Sequence, residues 1–443
     1  MRSIDTLIFI EHKARELDAA CAVKYLCEIQ NDLSVEIKSI ISGLKDTLDE
    51  FDPKVVVLPF CVSIKSLNLE KIVSRWPTAR YINLSYEQLL GSAQKAIKAP
   101  RDDFSRNYVL HHAWGDFFAQ FLLESGVPKS NVVTNGNPTY ALYRNPYKQF
   151  YGNSRDQLAN LFSLDPGKRW IFIPENYGWA FFKDNMVRDR IRRGFDPQQA
   201  YQYRDFSVNS MKESGCWWCE GSRIDEIELI VRPRPAVPIN TFIVVLQEMV
   251  GELPDQLHII KFGSVREWIL ASDIVISSYS TTLLEAAAAH KPIYMLEPYP
   301  FPEFLHVDWN DLTQKLKTKD SFIEAITKSE LDKNWASLEN WVVKEMLSHG
   351  DPIANLAGIL NGILTGVMPL SPPAAIAHKI SKPSWDKTYR AARKFGWDTL
   401  QSLLAALGIK TYDQIWNPHE TDSFTTVEVA ERVLRWERTL GGG

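Results

Sequence analysis

The stretch Ala271–Pro298, ASDIVISSYSTTLLEAAAAHKPIYMLEP, most narrows the folds open to this chain. It reads as an apolar strand, a hydroxyl-rich turn, a helix and a second apolar strand. Asp273–Ile276 carries the β-branched run of a buried parallel strand, and Ile293–Leu296 follows as the second. A helix between two such strands implies a crossover connection and parallel pairing. The unit belongs to a doubly wound sheet, whose ligands bind beyond the carboxyl ends of the strands. Ser277, Ser278, Ser280, Thr281 and Thr282 crowd the turn where the helix must begin. Helix N-termini present unpaired N–H groups and a positive dipole end, so hydroxyls there suit a phosphate. Glu285, one turn into the helix, is placed to hold ribose hydroxyls. A serine N-cap on an ordinary strand–helix unit is the simpler alternative.

Similar units recur along the chain. Asp5–Ile10, Val55–Phe60, Ala79–Leu84, Tyr108–His111 and Asn131–Gly136 alternate with helical segments and predict one parallel α/β domain over residues 1–150. Trp170–Pro174, Ile227–Val231, His258–Lys261, Asp273–Ile276 and Ile293–Leu296 predict a second over residues 165–335. Residues 139–168 read as helical, polar and linker-like. Helices over 336–366 are expected to return across the first domain. Residues 367–384, rich in Pro, Ala and Ser, read as a linker, and 385–443 as a helical extension. The expected fold class is α/β: two Rossmann-like doubly wound domains facing across a cleft, with a C-terminal helical extension.

At 443 residues the chain is long enough for two domains and an appendage. Its net charge of −4 argues against nucleic acid as the main partner, because neutralising phosphates needs a basic surface. Leu7–Ile10 is too short for a signal peptide core and is followed by charge. No apolar run reaches the roughly 18 residues that span a bilayer. Five cysteines, an odd and sparse set, fit a reducing compartment. The expectation is a cytoplasmic protein, with peripheral association at the inner face of the membrane left open.

Two further loops carry candidate chemistry. In VRPRP, Arg232 and Arg234 sit just past strand 227–231, and guanidinium groups bind phosphate through paired donors without losing charge. Pro235 and its neighbour restrict that turn. A surface loop with solvated arginines is the plainer reading. In PENYGWAFFKD, Asn176, Tyr177 and Gly178 follow the first strand of the second domain, where phosphates commonly meet the loop. Three loops, after residues 174, 231 and 276, are expected to converge on one anion site. Cys216 and Cys219 lack the second pair a zinc site needs and read as structural. No metal-binding motif stands at a strand end, and no metal or cofactor is expected.

Two parallel α/β domains with a cleft between them resemble the GT-B glycosyltransferases, an architecture that UDP-sugar 2-epimerases share. VRPRP followed some 40 residues later by ISSYSTTLLEA resembles the X-Pro and serine motifs of enzymes using CMP-activated sugars, the bacterial sialyltransferases and Kdo transferases. Both motifs contact the CMP portion of the donor there. Here Arg234-Pro235 takes the X-Pro position, with arginine in place of the family's histidine. ARELDAACAVKYL, INLSYEQ, HHAWGDFFAQFLLESGV and VVTNGNP resemble bacterial surface carbohydrate biosynthesis proteins, over residues 5–365.

That resemblance implies an acceptor-binding first domain and a donor-binding second one. It implies a carboxylate or histidine base on the acceptor hydroxyl for an inverting enzyme, or a carboxylate nucleophile for a double-displacement one. The candidates are Glu16, Asp18, Glu87 and Asp184, with Arg15 and Trp114 on the acceptor side. Glu16 leads, because Arg15 beside it could orient it. The implied activity is transfer of an acidic sugar such as Kdo from a CMP donor to a surface polysaccharide or lipid-linked saccharide. A CDP-polyol phosphotransferase of teichoic-acid type, a UDP-sugar epimerase and a non-catalytic nucleotide-sugar or glycan-binding scaffold are the alternatives.

Overall fold

The computed structural model describes residues 1–441 except 67, 90–94, 96, 153, 193, 332 and 377–421. Met1–Leu89, Ala96–Pro138 and His349–Arg438 form one unit, domain 1; a second, domain 2, is built on Thr139–Ser348. Each contains a six-stranded sheet with flanking helices, and the paired strands run parallel.

Domain 1 has strands β1 (Arg2–Ile10), β2 (Val35–Ser39), β3 (Phe51–Leu58), β4 (Arg80–Asn83), β5 (Val109–Ala113) and β6 (Val132–Thr134), in the order β2-β1-β3-β4-β5-β6. Val55, Val56, Val57 and Leu58 are all fully buried, as expected of a strand covered on both faces. The chain leaves β1 toward β2 and returns on the other side as β3, so the topological switch point lies between β1 and β3. β2 was not foreseen: VEIKS alternates and is short, without the apolar run of its neighbours.

Domain 2 has strands β7 (Arg169–Pro174), β8 (Ile227–Arg232), β9 (Leu257–Ile259), β10 (Ile274–Ser277), β11 (Ile293–Leu296) and β12 (Lys315–Leu316), ordered β9-β8-β7-β10-β11-β12. Its first strand is central. The chain winds outward through β8 and β9, then returns to start again beside β7 with β10. This is the strand order of a dinucleotide-binding sheet, with the switch point between β7 and β10. The carboxyl ends of β10, β7 and β8 therefore stand side by side.

Several boundaries differ from expectation. Residues 139–168 are not a linker, because Tyr140, Leu142, Tyr143, Tyr147, Phe150 and Tyr151 are buried within domain 2. The helices over 336–366 divide between the domains. Ala336–Met346 belongs to domain 2, where Glu339 accepts from Arg144 and pairs with His290. Pro352–Thr365 packs in domain 1 against α1 (Lys13–Asn31), and the Asp351 carboxylate caps it through the amides of Ile353 and Ala354. In the expected linker, Leu370 is buried and its carbonyl accepts from Arg80 Nε, while 377–384 lie outside the described residues. Of the expected helical extension, 385–421 and 442–443 also lie outside them. The helix Thr426–Leu440 packs on α1, with Trp436 fully buried and its indole N–H donating to the Asp18 carbonyl at 3.0 Å.

Candidate functional site

In domain 2 the loops after β7, β8 and β10 meet at the switch point. Ser277 Oγ donates to the Pro174 carbonyl, tying the end of β10 to the end of β7. Asn176 Nδ2 lies 3.5 Å from the Tyr279 carbonyl, joining the same two loops further out. A Cβ placed on Gly178 would come within 2.5 Å of Arg234 Nη1 and 3.2 Å of Arg234 Cδ and Cζ. The Arg234 side chain thus lies against the bare backbone of Gly178, and the absence of a side chain there is what admits it. Arg234 is half-buried, between buried Pro233 and exposed Pro235.

Glu175 occupies the first position after β7 and is only 5% exposed. It accepts the Tyr177 amide, and the Arg234 backbone and guanidinium stand beside it. Burial pushes its carboxyl up to about 7, against the pull of the Arg234 charge. Tyr203 and Tyr279 line the same neighbourhood, their ring centroids 6.1 Å apart and both within the field of Arg234. The arrangement offers one cation, a close-approach glycine and a carboxyl that is neutral in part of its population near pH 7. It suits a phosphate group.

Other predicted residues have different jobs. Arg232 is corrected from phosphate binder to internal tie: it is 7% exposed and donates to the carbonyls of Phe262 and Gly263, both at 2.6 Å. Burial lowers its guanidinium to about 10. Tyr177 points into the domain, its hydroxyl 3.2 Å from Ser214 Oγ and near buried Ser278. Ser280 Oγ accepts both the amide and the hydroxyl of Thr282, so it builds the turn, and Thr281 is exposed beside it. Glu285 Oε2 accepts the Tyr143 hydroxyl, a contact within domain 2. Asp184 lies at the start of the helix Asp184–Arg192, 64% exposed in its side chain and ion-paired with Arg204.

In domain 1, Glu16 is fully buried. Oε2 accepts the Glu11 amide at 2.8 Å, and Oε1 accepts Arg15 Nε at 3.1 Å and Nη2 at 2.7 Å. A base must reach the proton it takes. Glu16 instead closes the β1–α1 turn and aims Arg15, which corrects its expected role. Asp18 is likewise covered: Arg432 of the C-terminal helix donates to it at 2.9 Å. Trp114 is 6% exposed and its amide donates to Gln88 Oε1, so its ring is packed rather than presented to a sugar.

Glu87 and Arg15 remain on the surface, with side chains 55% and 33% exposed and 3.7 Å apart. Partial burial acts to raise the Glu87 carboxyl, but Lys98 and Arg15 together bring it below its ordinary value.

One residue at this edge was missed. His12 is the N-cap of α1, the second residue after β1, and its side chain is 29% exposed. Its Nδ1 lies 2.8 Å from Asp422 Oδ2, while Asp422 Oδ1 accepts the Lys13 amide at 3.0 Å. The position of His12 just past an apolar strand was a signal available in the sequence. Its partner, 410 residues away, was not.

No protein-family model and no characterised protein matches the sequence. Solved structures do match the fold. The wall teichoic acid polymerase TagF gives a TM-score of 0.52 and a variant of it 0.54; both are 10% identical, cover 82% of this chain, and are covered over 89% and 90% of theirs. A UDP-GlcNAc 2-epimerase from Neisseria meningitidis, bound to UDP-GlcNAc, is 14% identical, with 82% of this chain and 100% of that chain aligned and a TM-score of 0.49. Identity at this level shows the fold: a two-domain α/β architecture of GT-B type. Among the described residues no helix is long and apolar enough to cross a membrane, and no three His, Cys, Asp or Glu side chains cluster to hold a metal ion.

Proposed function

We propose that the chain is a nucleotide-sugar transferase of bacterial surface-carbohydrate synthesis, binding the donor's phosphate in domain 2 and the acceptor in domain 1. The observation that carries this reading is Arg234 lying against Gly178, beside buried Glu175, at the switch point of a sheet with dinucleotide-binding strand order. Arg234 supplies fixed positive charge, Gly178 allows backbone approach, and Asn176, Ser278, Thr281 and Pro235 border the same loops. On the acceptor side the reading gives Arg15 and Glu87 to substrate contact. A CMP-activated acidic sugar of Kdo type is the donor favoured by the Arg-Pro and serine motifs. A CDP-polyol donor is the second reading, favoured by the fold likeness to TagF.

Thermal shift of the full chain against CMP, CDP, UMP and UDP tests the donor class. Stabilisation by cytidine nucleotides, lost in Arg234→Ala, is the expected result. Stabilisation by UDP alone excludes both cytidine donors, and no stabilisation by any of the four removes the reading.

A further inference from the structure

A carboxyl buried against a phosphate-binding arginine is a charge the site would do better without, yet the backbone fixes Glu175 there from both sides. Its amide donates to the Arg232 carbonyl at 2.9 Å, and the Pro174 carbonyl just before it accepts Ser277 Oγ. The ends of β8 and β10 thus hold Glu175 between them. Oε1 accepts the Tyr177 amide, while Oε2 is buried and makes no hydrogen bond. The Arg234 guanidinium, laid over Gly178, supplies the positive charge beside it. Ionised, Glu175 is therefore the internal counter-ion of the very group that would meet the phosphate.

We propose that Glu175 is a positioning residue for Arg234: ionised, it holds the guanidinium in the empty site, and it takes up a proton when a nucleotide phosphate arrives to claim that charge. This rests on the nucleotide-phosphate reading above. The carboxylate oxygen accepts the proton from solvent, and no other bond changes. Without that proton, one guanidinium would be shared between a carboxylate and a phosphate where burial keeps water from screening their repulsion. Protonation removes the repulsion and gives the carboxyl an O–H to donate. Nucleotide and proton then bind together, and affinity falls as pH rises.

The groups around the loop agree with this use. Burial pushes the Glu175 carboxyl up to about 7 against the pull of Arg234, so the empty site is mostly ionised at pH 8. A further negative charge at Arg234 acts in the same direction as burial. Tyr177 on the same loop and Tyr203 on the helix Pro197–Gly221 feel the Glu175 charge, and Tyr279 after β10 feels that of Arg234. Burial pushes all three hydroxyls above their ordinary value. Arg232, at the end of β8, is lowered by burial only to about 10 and is tied to two carbonyls. None of these four groups changes charge near pH 8.

The test is isothermal titration of the full chain with CMP and with CDP, in buffers of low and of high ionisation enthalpy, over about pH 7.5 to 8.5. Both nucleotides keep their full charge over that range, because a phosphate's second ionisation lies at about 6. The wild-type chain is expected to take up roughly 0.5–1 proton per nucleotide at pH 8, and to bind about fivefold more weakly at the upper end of the range than at the lower. Glu175→Gln keeps the shape and the Tyr177 contact without the titration. It is expected to bind with no proton exchange and with one affinity across the range. A carboxyl that only closed the turn would exchange no proton in either protein, and the wild-type proton count does not depend on how well the variant folds. Saturable wild-type binding without proton uptake, or the same uptake in Glu175→Gln, overturns the proposal and leaves the phosphate reading standing. Binding of neither nucleotide at any pH removes the phosphate reading and this proposal with it.

Discussion

Gly178→Ala separates a binding role for Arg234 from a structural one. The new Cβ would sit 2.5 Å from Arg234 Nη1, about 1–1.5 Å inside ordinary contact of about 3.5–4.0 Å. The atom that must yield is the far end of a flexible side chain, and Gly178 does not have the left-handed backbone that would penalise alanine. Stability should therefore change by no more than about 0.5 kcal/mol. The guanidinium, however, must leave its place over the loop. Hydrogen bonds to charged groups contribute about 1.5–3 kcal/mol. Losing the lower part of that range through displacement corresponds to roughly tenfold weaker nucleotide binding. Isothermal titration with the best-binding nucleotide, alongside urea denaturation, measures both quantities. In an Arg234→Ala background the alanine should add almost nothing, because the group it displaces is gone. Wild-type affinity in Gly178→Ala, or an equal loss in both backgrounds, would refute the argument.

Other consequences follow from buried groups. Arg232→Ala leaves the Phe262 and Gly263 carbonyls without their donor and should cost about 2–3 kcal/mol in urea denaturation. Glu175 has a folded pKa of about 7, above its unfolded value, so the folded state binds the extra proton and stability falls as pH rises from about 4.5 to 7. Glu175→Gln should remove that slope and gain about 3 kcal/mol at pH 8; an unchanged pH dependence would contradict the burial argument. Trp436→Ala should cost about 3 kcal/mol or more and expose the C-terminal helix to limited proteolysis. Of the five thiols, Cys216 is exposed while burial pushes Cys21, Cys27, Cys61 and Cys219 up, so a thiol probe should titrate one rapidly in the folded protein.

The parallel sheets were legible because fully buried strands read as apolar runs, as in VVVL of β3 and DIVI before Ser277. Short or alternating strands such as β2 lack that signature. The three loops of domain 2 could be grouped because strand order follows from winding rules, and Gly178 and Arg234 do touch. What sequence could not sort was which polar side chain each loop spends on itself. Arg232 and Arg234 look alike in VRPRP, yet only the first meets two backbone carbonyls. Glu16 looks like a base after a strand, but the Glu11 amide and Arg15 occupy both its oxygens. His12 and Asp422 are meaningful only together, and a contact across 410 residues leaves no local pattern.

The account's central claim is that the switch point of domain 2 binds a nucleotide phosphate through Arg234. The most direct measurement is CMP and CDP affinity for the wild-type chain and for Arg234→Ala, at matched stability and salt. The account predicts saturable binding that weakens at least tenfold in the variant. Equal affinity in the two proteins, or no binding by either, would contradict it.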